Sequence, residues 1–377
     1  MKMMKKFNFL KNFKILKSVV LDLPAGMNLN FMWNFGSLLG LCLMSQLVSG
    51  LVLSLHYHNG VEEAFNSIIF IQRDINLGWL IRFFHVNGVS GFFIFIYLHL
   101  FRGLYFNCFN LGGVWSVGVV LLISLMGSAF FGYVLPYGQM SYWGATVITN
   151  LMSVLPYIGK NLVIWVWGGF AVGDATILRF FIFHFILPFV MLILIVAHLY
   201  YLHESGSNNY LGLDSNKNKI MFSFFIMKDF LGFLIYLWLL VVVCLKFPYI
   251  FGDSENFFKA NSLLTPNHIK PEWYFLWAYA ILRCVPSKVG GVVLLAMGVM
   301  IFFVLPMFKV SLMNMKFYFM GVMSFWVFVY NLILLTWIGG SPAEDPYYTF
   351  SQIFSVYYFF YFYLAIFFMV DMKILFY

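Results

Sequence analysis

The stretch RFFHVNGVSGFFIFIYLHLFR, Arg82–Arg102, is apolar except for two histidines, its arginine ends, Asn87 and Ser90. An α-helix of that length crosses most of the roughly 30 Å hydrocarbon core of a bilayer. His85 and His99 stand 14 residues apart. That is just under four helical turns, so both imidazoles lie on nearly one face, separated by about 21 Å along the axis. A second stretch, RFFIFHFILPFVMLILIVAHL (Arg179–Leu199), repeats the pattern with His184 and His198. Ionisable side chains inside a membrane are expensive, and here they recur with one period.

The whole composition agrees with a membrane bundle. Of 377 residues, 63% are hydrophobic and 10% charged, where soluble domains average about 45–50% apolar and about 25% charged. Mean hydropathy is +0.89. These values exclude an ordinary water-soluble fold, a disordered chain and a nucleic-acid binder. The aromatic share of 22% reads as lipid-facing filler of a T-rich genome. Cys42, Cys108, Cys244 and Cys284 are scattered without a C-x-x-C pair, which argues against a disulfide framework or an all-cysteine metal site.

Eight apolar runs are expected to span the membrane: about 32–55, 78–103, 112–134, 177–202, 223–246, 289–308, 317–338 and 348–369. The segment 136–173 reads as short interfacial helices, and 247–288, with four prolines, as a long loop. Eight spans put both termini on one side, called side 1. Side 1 receives 13 Lys and Arg against 9 on side 2, and 5 acids against 9. The Lys/Arg excess makes side 1 the negatively charged compartment, cytoplasm or matrix. The six lysines of residues 1–17 suit a basic amphipathic helix on the membrane surface.

The second and fourth spans run in the same direction. His85 therefore faces His184 near side 2, and His99 faces His198 near side 1. Two facing imidazoles can hold a haem iron from both sides and leave no open position, which suits electron transfer. A lone intramembrane histidine is more often a hydrogen-bonding residue or proton relay. Two equal pairs on co-oriented helices make that plainer reading poor. Zinc fits badly, because ligands in two levels about 21 Å apart cannot form one tetrahedron. The first and third spans carry Gly36 and Gly50, and Gly118 and Gly132, each pair again 14 apart. Gly36 and Gly118 reach the His99/His198 level, and Gly50 and Gly132 the His85/His184 level. Glycine clears the backbone for a bulky planar group, although small residues also serve plain helix packing. The first four spans thus read as a four-helix bundle around two non-covalent b-type haems. Arg82, Arg179 and Arg102 lie within five residues of these histidines. They suit haem propionates or, equally, interfacial snorkelling.

Nearly end to end, the chain resembles cytochrome b of the respiratory quinol–cytochrome c oxidoreductase, the cytochrome bc complex or complex III. The resemblance rests on WNFGSLLG (Trp33–Gly40), RFFHVNG (Arg82–Gly88), HLFRGLY (His99–Tyr105), GYVLPYGQMSYWGATVITN (Gly132–Asn150), RFFIFHFILPF (Arg179–Phe189), LHESGSNN (Leu202–Asn209), HIKPEWYFLWAYAILR (His268–Arg283) and LTWIGGSP (Leu335–Pro342), all in order. Equal spacings of 14 look like the mitochondrial and proteobacterial form. The resemblance implies an all-α membrane protein with an N-terminal dihaem domain, 1–210, and a C-terminal domain, 211–377. It implies a quinol-oxidation site on side 2 with Pro271, Glu272, Trp273 and Tyr274, and with Tyr133, Gly144 and Tyr279 around the pocket. It implies a quinone-reduction site on side 1 with His203, Ser207, Asp229 and Lys228. Its expected partners are a Rieske iron–sulfur protein, cytochrome c1, accessory subunits, membrane lipid and a second copy in a dimeric complex. The expected place is the mitochondrial inner membrane with both termini in the matrix. Composition and the lack of an Arg-rich import signal favour organelle encoding.

Tyr137 stands where the family usually has Trp, and Tyr210 where it has Pro. Both bear on headgroup preference and inhibitor sensitivity, and the quinone stays open among ubiquinone, rhodoquinone and menaquinone. Two rivals remain: a dihaem membrane anchor of another quinone-linked dehydrogenase, and a transporter relaying protons through histidines. The first does not need the PEWY segment. The second predicts unpaired acids in mid-span, and most carboxylates here lie near span ends.

Overall fold

The computed structural model describes residues 24–211, 219–221, 225–308 and 314–376. The lysine-rich residues 1–17 and the last residue lie outside the described part, as does Lys217. The described chain is almost wholly helical. Its one small ribbon pairs β1 (Pro24–Gly26) antiparallel with β2 (Lys219–Met221), Pro24 opposite Met221.

Among the described residues, seven helices are long and apolar enough to cross a membrane, so this is a multi-pass membrane protein. They are α1 (Phe35–Ser54), α3 (Gly78–Tyr105), α4 (Gly112–Val134), α7 (Asp174–Ser205), α8 (Ile226–Lys246), α11 (Phe319–Gly339) and α12 (Tyr347–Phe376). Helices are the form such runs must take, because lipid offers no partner for a free backbone N–H or C=O. The expected sixth span, 289–308, departs from this. It is a short helix, α10 (Lys288–Met300), that tightens into 3₁₀ turns at Ile301–Phe303 and Leu305–Met307. The run Lys288–Phe303 covers about 24 Å at 1.5 Å per residue. Pro306, which cannot donate to the helical ladder, sits in the last of these turns.

Shorter helices fill the connections. The amphipathic α2 (Ala64–Arg73), not expected from hydropathy, leads into α3. Gly78 is required at that corner, because a Cβ there would lie 2.0 Å from the Ile71 carbonyl oxygen. The segment 136–173 forms α5 (Gln139–Asn150) and α6 (Gly159–Trp167). It is tied to the loop after α8 by Gln139, whose side chain donates to the Leu264 carbonyl and accepts from the Asn261 N–H, at 3.0 and 2.8 Å. Helix α9 (Leu276–Arg283) follows the PEWY segment.

α1 packs on α3, and α4 on α7. A buried cluster of Leu38, Cys42, Phe93, Leu125, Met191 and Tyr236 joins these four helices to α8. A second core, built on Trp277, Ile281, Phe328 and Tyr358, takes in Leu104 and Trp115 from α3 and α4. That core therefore runs across the boundary expected near residue 210. α7 and α8 bury little of their surface in the chain and present apolar side chains such as Ile193 and Met227 outward.

Candidate metal centres and quinone pockets

α3 and α7 bring the four histidines together in two levels. His85 and His184 face each other with ring centroids 6.1 Å apart and planes at 86°. His99 and His198 do so at 6.4 Å and 56°. Two metal–imidazole bonds of about 2.0 Å, with about 1.1 Å from each nitrogen to its ring centre, require about 6.2 Å. Edge-to-face stacking alone also allows such a distance, so the ring hydrogens decide. The His184 Nδ1–H donates to the Ser128 carbonyl at 2.8 Å. A carbonyl only accepts, so the His184 lone pair is on Nε2. His85 Nδ1 lies 3.0 Å from the Ser49 hydroxyl. That oxygen already donates its hydrogen to the Ser45 carbonyl at 2.7 Å, so it accepts from His85 and leaves that lone pair on Nε2 as well. Two neutral rings with their Nε2 lone pairs free are a donor set for a metal.

Among the described residues, no group of three or more His, Cys, Asp or Glu is placed to hold a metal ion. Each pair therefore offers two ligands only. This suits an iron that brings its own equatorial ligands, as haem does.

At the other level the arrangement is different. An Arg102 N–H donates to His99 Nδ1 at 3.0 Å, which puts the ring hydrogen of His99 on Nε2. Ligation through Nε2 would need Arg102 to turn away. Its Nε is buried without a hydrogen-bond partner, and the guanidinium stands over the Trp33 ring, with no ion pair to a carboxylate among the described residues. A buried guanidinium so placed fits an anionic group. His198 Nδ1 is buried and, although the Val114 carbonyl is nearby, makes no hydrogen bond of ordinary geometry.

The four glycines stand against the histidine rings themselves. A Cβ would lie 2.5 Å from His184 Cε1 at Gly132, 3.1 Å from His85 Cε1 at Gly50, 3.2 Å from His198 Cε1 at Gly118 and 3.5 Å from His99 Cε1 at Gly36. The expectation that glycine clears space for a planar group thus gains a nearer cause: the imidazole seats on bare backbone.

A cavity surrounds the side-2 histidines and is lined by Gly50, Gly132, Arg82 and Tyr57. Arg82 faces it. Arg179 does not, which corrects the expectation that it meets a propionate there. It donates instead to the Trp165 and Val166 carbonyls of α6 and lies over the Trp165 ring.

A second cavity is lined by Tyr133, Gly144, Pro271, Glu272 and Tyr279, with Lys270 and Phe275. Burial pushes the Glu272 carboxyl up to about 7; nearby Asp253 adds to this, while the Tyr133 hydroxyl and Lys270 oppose it. Lys270 also pairs with Asp253 at 3.4 Å. Trp273 and Tyr274, expected in this pocket, point the other way, because the 3₁₀ turn they form rotates them toward α3. Trp273 Nε1–H donates to the Ser90 hydroxyl at 3.0 Å, and Tyr274 stacks on Phe93 with centroids 4.1 Å apart. Tyr137 lines neither cavity. It is buried with φ +51°, its ring edge-on to Tyr142. Tyr210 packs on Phe106 with the Lys316 Nζ 3.3 Å from its ring centre.

On side 1 the expected residues are less closely gathered. The Ser37 hydroxyl donates to Asp229 at 2.7 Å. The Lys228 ammonium donates to the Leu29 carbonyl at 3.0 Å and lies over Phe31 and Phe225. His203 is exposed on the last turn of α7 with Ser207 just beyond. Among the described residues, no hydrogen bond joins either to Asp229. Ser37 and Ser49 escaped the sequence reading, yet each adjoins one of the four spaced glycines, a signal that was available.

Two family models match the chain. A family described as "Cytochrome b/b6/petB" matches residues 20–206. One described as "Cytochrome b(C-terminal)/b6/petD" matches residues 259–359. Among solved structures, a chain of a "Hyperthermophilic respiratory Complex III" is similar, with a TM-score of 0.88 and 29% sequence identity. The match covers 98% of this chain and 99% of that one.

Proposed function

The chain belongs to the cytochrome b/b6 family, and from that premise we propose that it is the dihaem, quinol-oxidising subunit of a respiratory cytochrome bc complex. The observation that carries this reading is the pair of facing histidine levels, 6.1 and 6.4 Å between rings, each ring backed by a glycine. His85 and His184 would hold one b-type haem, and His99 and His198 the other. Bound there, the two haems supply one-electron transfer across the membrane.

The chain's own residues handle substrate and protons. On side 2, Glu272 has a carboxyl poised near neutrality in a pocket walled mostly by apolar and aromatic side chains. It would accept the hydroxyl proton, with Tyr133, Gly144, Pro271 and Tyr279 forming the walls. On side 1, Asp229 and His203 would deliver protons to a quinone, with Ser37 orienting the Asp229 carboxyl and Ser207 and Lys228 near the rim. Arg82 and Arg102 would meet propionates. Oxidation on one side and reduction on the other form a Q cycle. Each charge moved works against about 2.3 kcal/mol per 100 mV.

The same reading extends to partners and place. A Rieske iron–sulfur protein would take one electron from quinol, and cytochrome c1, accessory subunits and a second copy would complete the complex. Residues 1–210 form the dihaem part and 211–377 the remainder. The lysine bias of side 1 and the composition support a mitochondrial inner membrane with both termini in the matrix. The pocket at Glu272 favours this role over a dihaem anchor, and the paired neutral histidines favour it over a proton-relaying transporter. The test is quinol:cytochrome c reduction by the purified complex with and without Glu272→Gln. Loss of quinol oxidation with both haems retained supports the reading, and undiminished turnover contradicts it.

A further inference from the structure

Of the two side-2 histidines, one has a side chain among its hydrogen-bond partners. His184 donates to the Ser128 backbone carbonyl, which no substitution removes. His85 meets the Ser49 hydroxyl at 3.0 Å, with the Gln46 backbone carbonyl also beside its ring. A hydroxyl has one hydrogen. Ser49 spends it on the Ser45 carbonyl at 2.7 Å, with the Gln46 carbonyl at 3.3 Å, so toward His85 it is an acceptor. Ser49 directly precedes Gly50, where the missing Cβ lets His85 Cε1 approach to 3.1 Å. The two adjacent residues make one seat: glycine sets the depth of the ring and serine its rotation and tautomer.

We propose that Ser49 is a positioning residue for His85, holding it as the Nδ1–H tautomer and lowering the electron affinity of whatever iron its Nε2 ligates. The inference rests on the haem-binding reading above. An acceptor on Nδ1–H makes the imidazole a more basic ligand. A more basic ligand favours the oxidised metal, so the potential of that centre falls. At the other level His99 is approached by a donor, Arg102, so Ser49 acts on one level only. The level that Ser49 does not touch serves as an internal control.

The test is an equilibrium redox titration of both haems in the assembled complex, comparing wild type, Ser49→Ala and Ser49→Thr. The expected result is that S49A keeps two haems per chain and raises the potential of one of them. The shift should be about tenfold in the one-electron equilibrium constant, 59 mV. The second haem stays in place, and S49T, which restores the hydroxyl, stays at the wild-type values. Selective loss of the side-2 haem in S49A with retention in S49T also supports the proposal. No shift in S49A, an equal shift of both haems, or an equal shift in S49T overturns it. A wild-type complex without haem instead defeats the haem-binding reading itself, and is visible before any variant is made.

Discussion

Gly132 and His184 are in such close contact that a Cβ on the first would stand 2.5 Å from Cε1 of the second, 2.9 Å from Nδ1 and 3.0 Å from Nε2. The ring cannot retreat freely, because its Nδ1–H is held by the Ser128 carbonyl one turn earlier on the same helix. Helix α4 therefore supplies both the floor of the ring and its anchor. Gly132→Ala should cost about 1–3 kcal/mol by overpacking and displace His184 from His85. Gly36→Ala, with 3.5 Å to His99 Cε1, is an ordinary contact and should be tolerated. The readout is haem content per chain, with the order of damage Gly132 first, Gly36 last, and Gly50 and Gly118 between.

The two levels should be separable. His184→Leu removes one ligand of the side-2 pair and leaves His99 and His198 untouched across about four helical turns. One of two haem signals should vanish from the reduced-minus-oxidised spectrum. Retention of both signals would show that His85 and His184 do not share an iron.

Glu272 sets a pH dependence. Its carboxyl, pushed up to about 7 chiefly by burial, is protonated below that value and cannot accept a proton from quinol. Quinol oxidation should therefore rise with pH through about 7 with a slope of one proton and then level off. Glu272→Gln should abolish that limb and lower the plateau on the order of 10²-fold. The check is the pH profile of kcat/KM for quinol in both proteins.

Tyr97 holds the turn behind the Glu272 pocket. Its hydroxyl donates to the Tyr274 carbonyl at 2.5 Å and accepts from Trp277 Nε1–H at 3.0 Å. Tyr97→Phe leaves both partners unpaired. It should destabilise the complex by roughly 1–3 kcal/mol, read as a lower thermal midpoint in detergent with haem content unchanged.

The sequence made the histidine levels legible because one helical period governs them. Fourteen residues on a straight helix leave a side chain on the same face, whatever the tertiary context. The same arithmetic set the glycines opposite the rings. The sixth run, 289–308, forms a shorter α-helix than its hydropathy suggests, because hydropathy counts apolar residues and does not register where the α pattern gives way to 3₁₀ turns. Trp273 and Tyr274 took other directions than expected, since a 3₁₀ turn has no long period from which to read orientation, whereas Arg179 lies five residues before His184 on α7 and so about 140° round the helix from it. The amphipathic α2 escaped because, in a chain this apolar, a helix with a polar face does not resemble a span. On side 1, His203 and Asp229 belong to different helices, and nothing in their spacing states how far apart they stand.

The most direct test of the account is the pyridine haemochrome spectrum and haem-to-polypeptide ratio of the purified complex, repeated after acid–acetone extraction. The account predicts two b-type haems per chain, both extractable and hence non-covalent. A ratio of one or none, or haem that stays with the polypeptide, would contradict it.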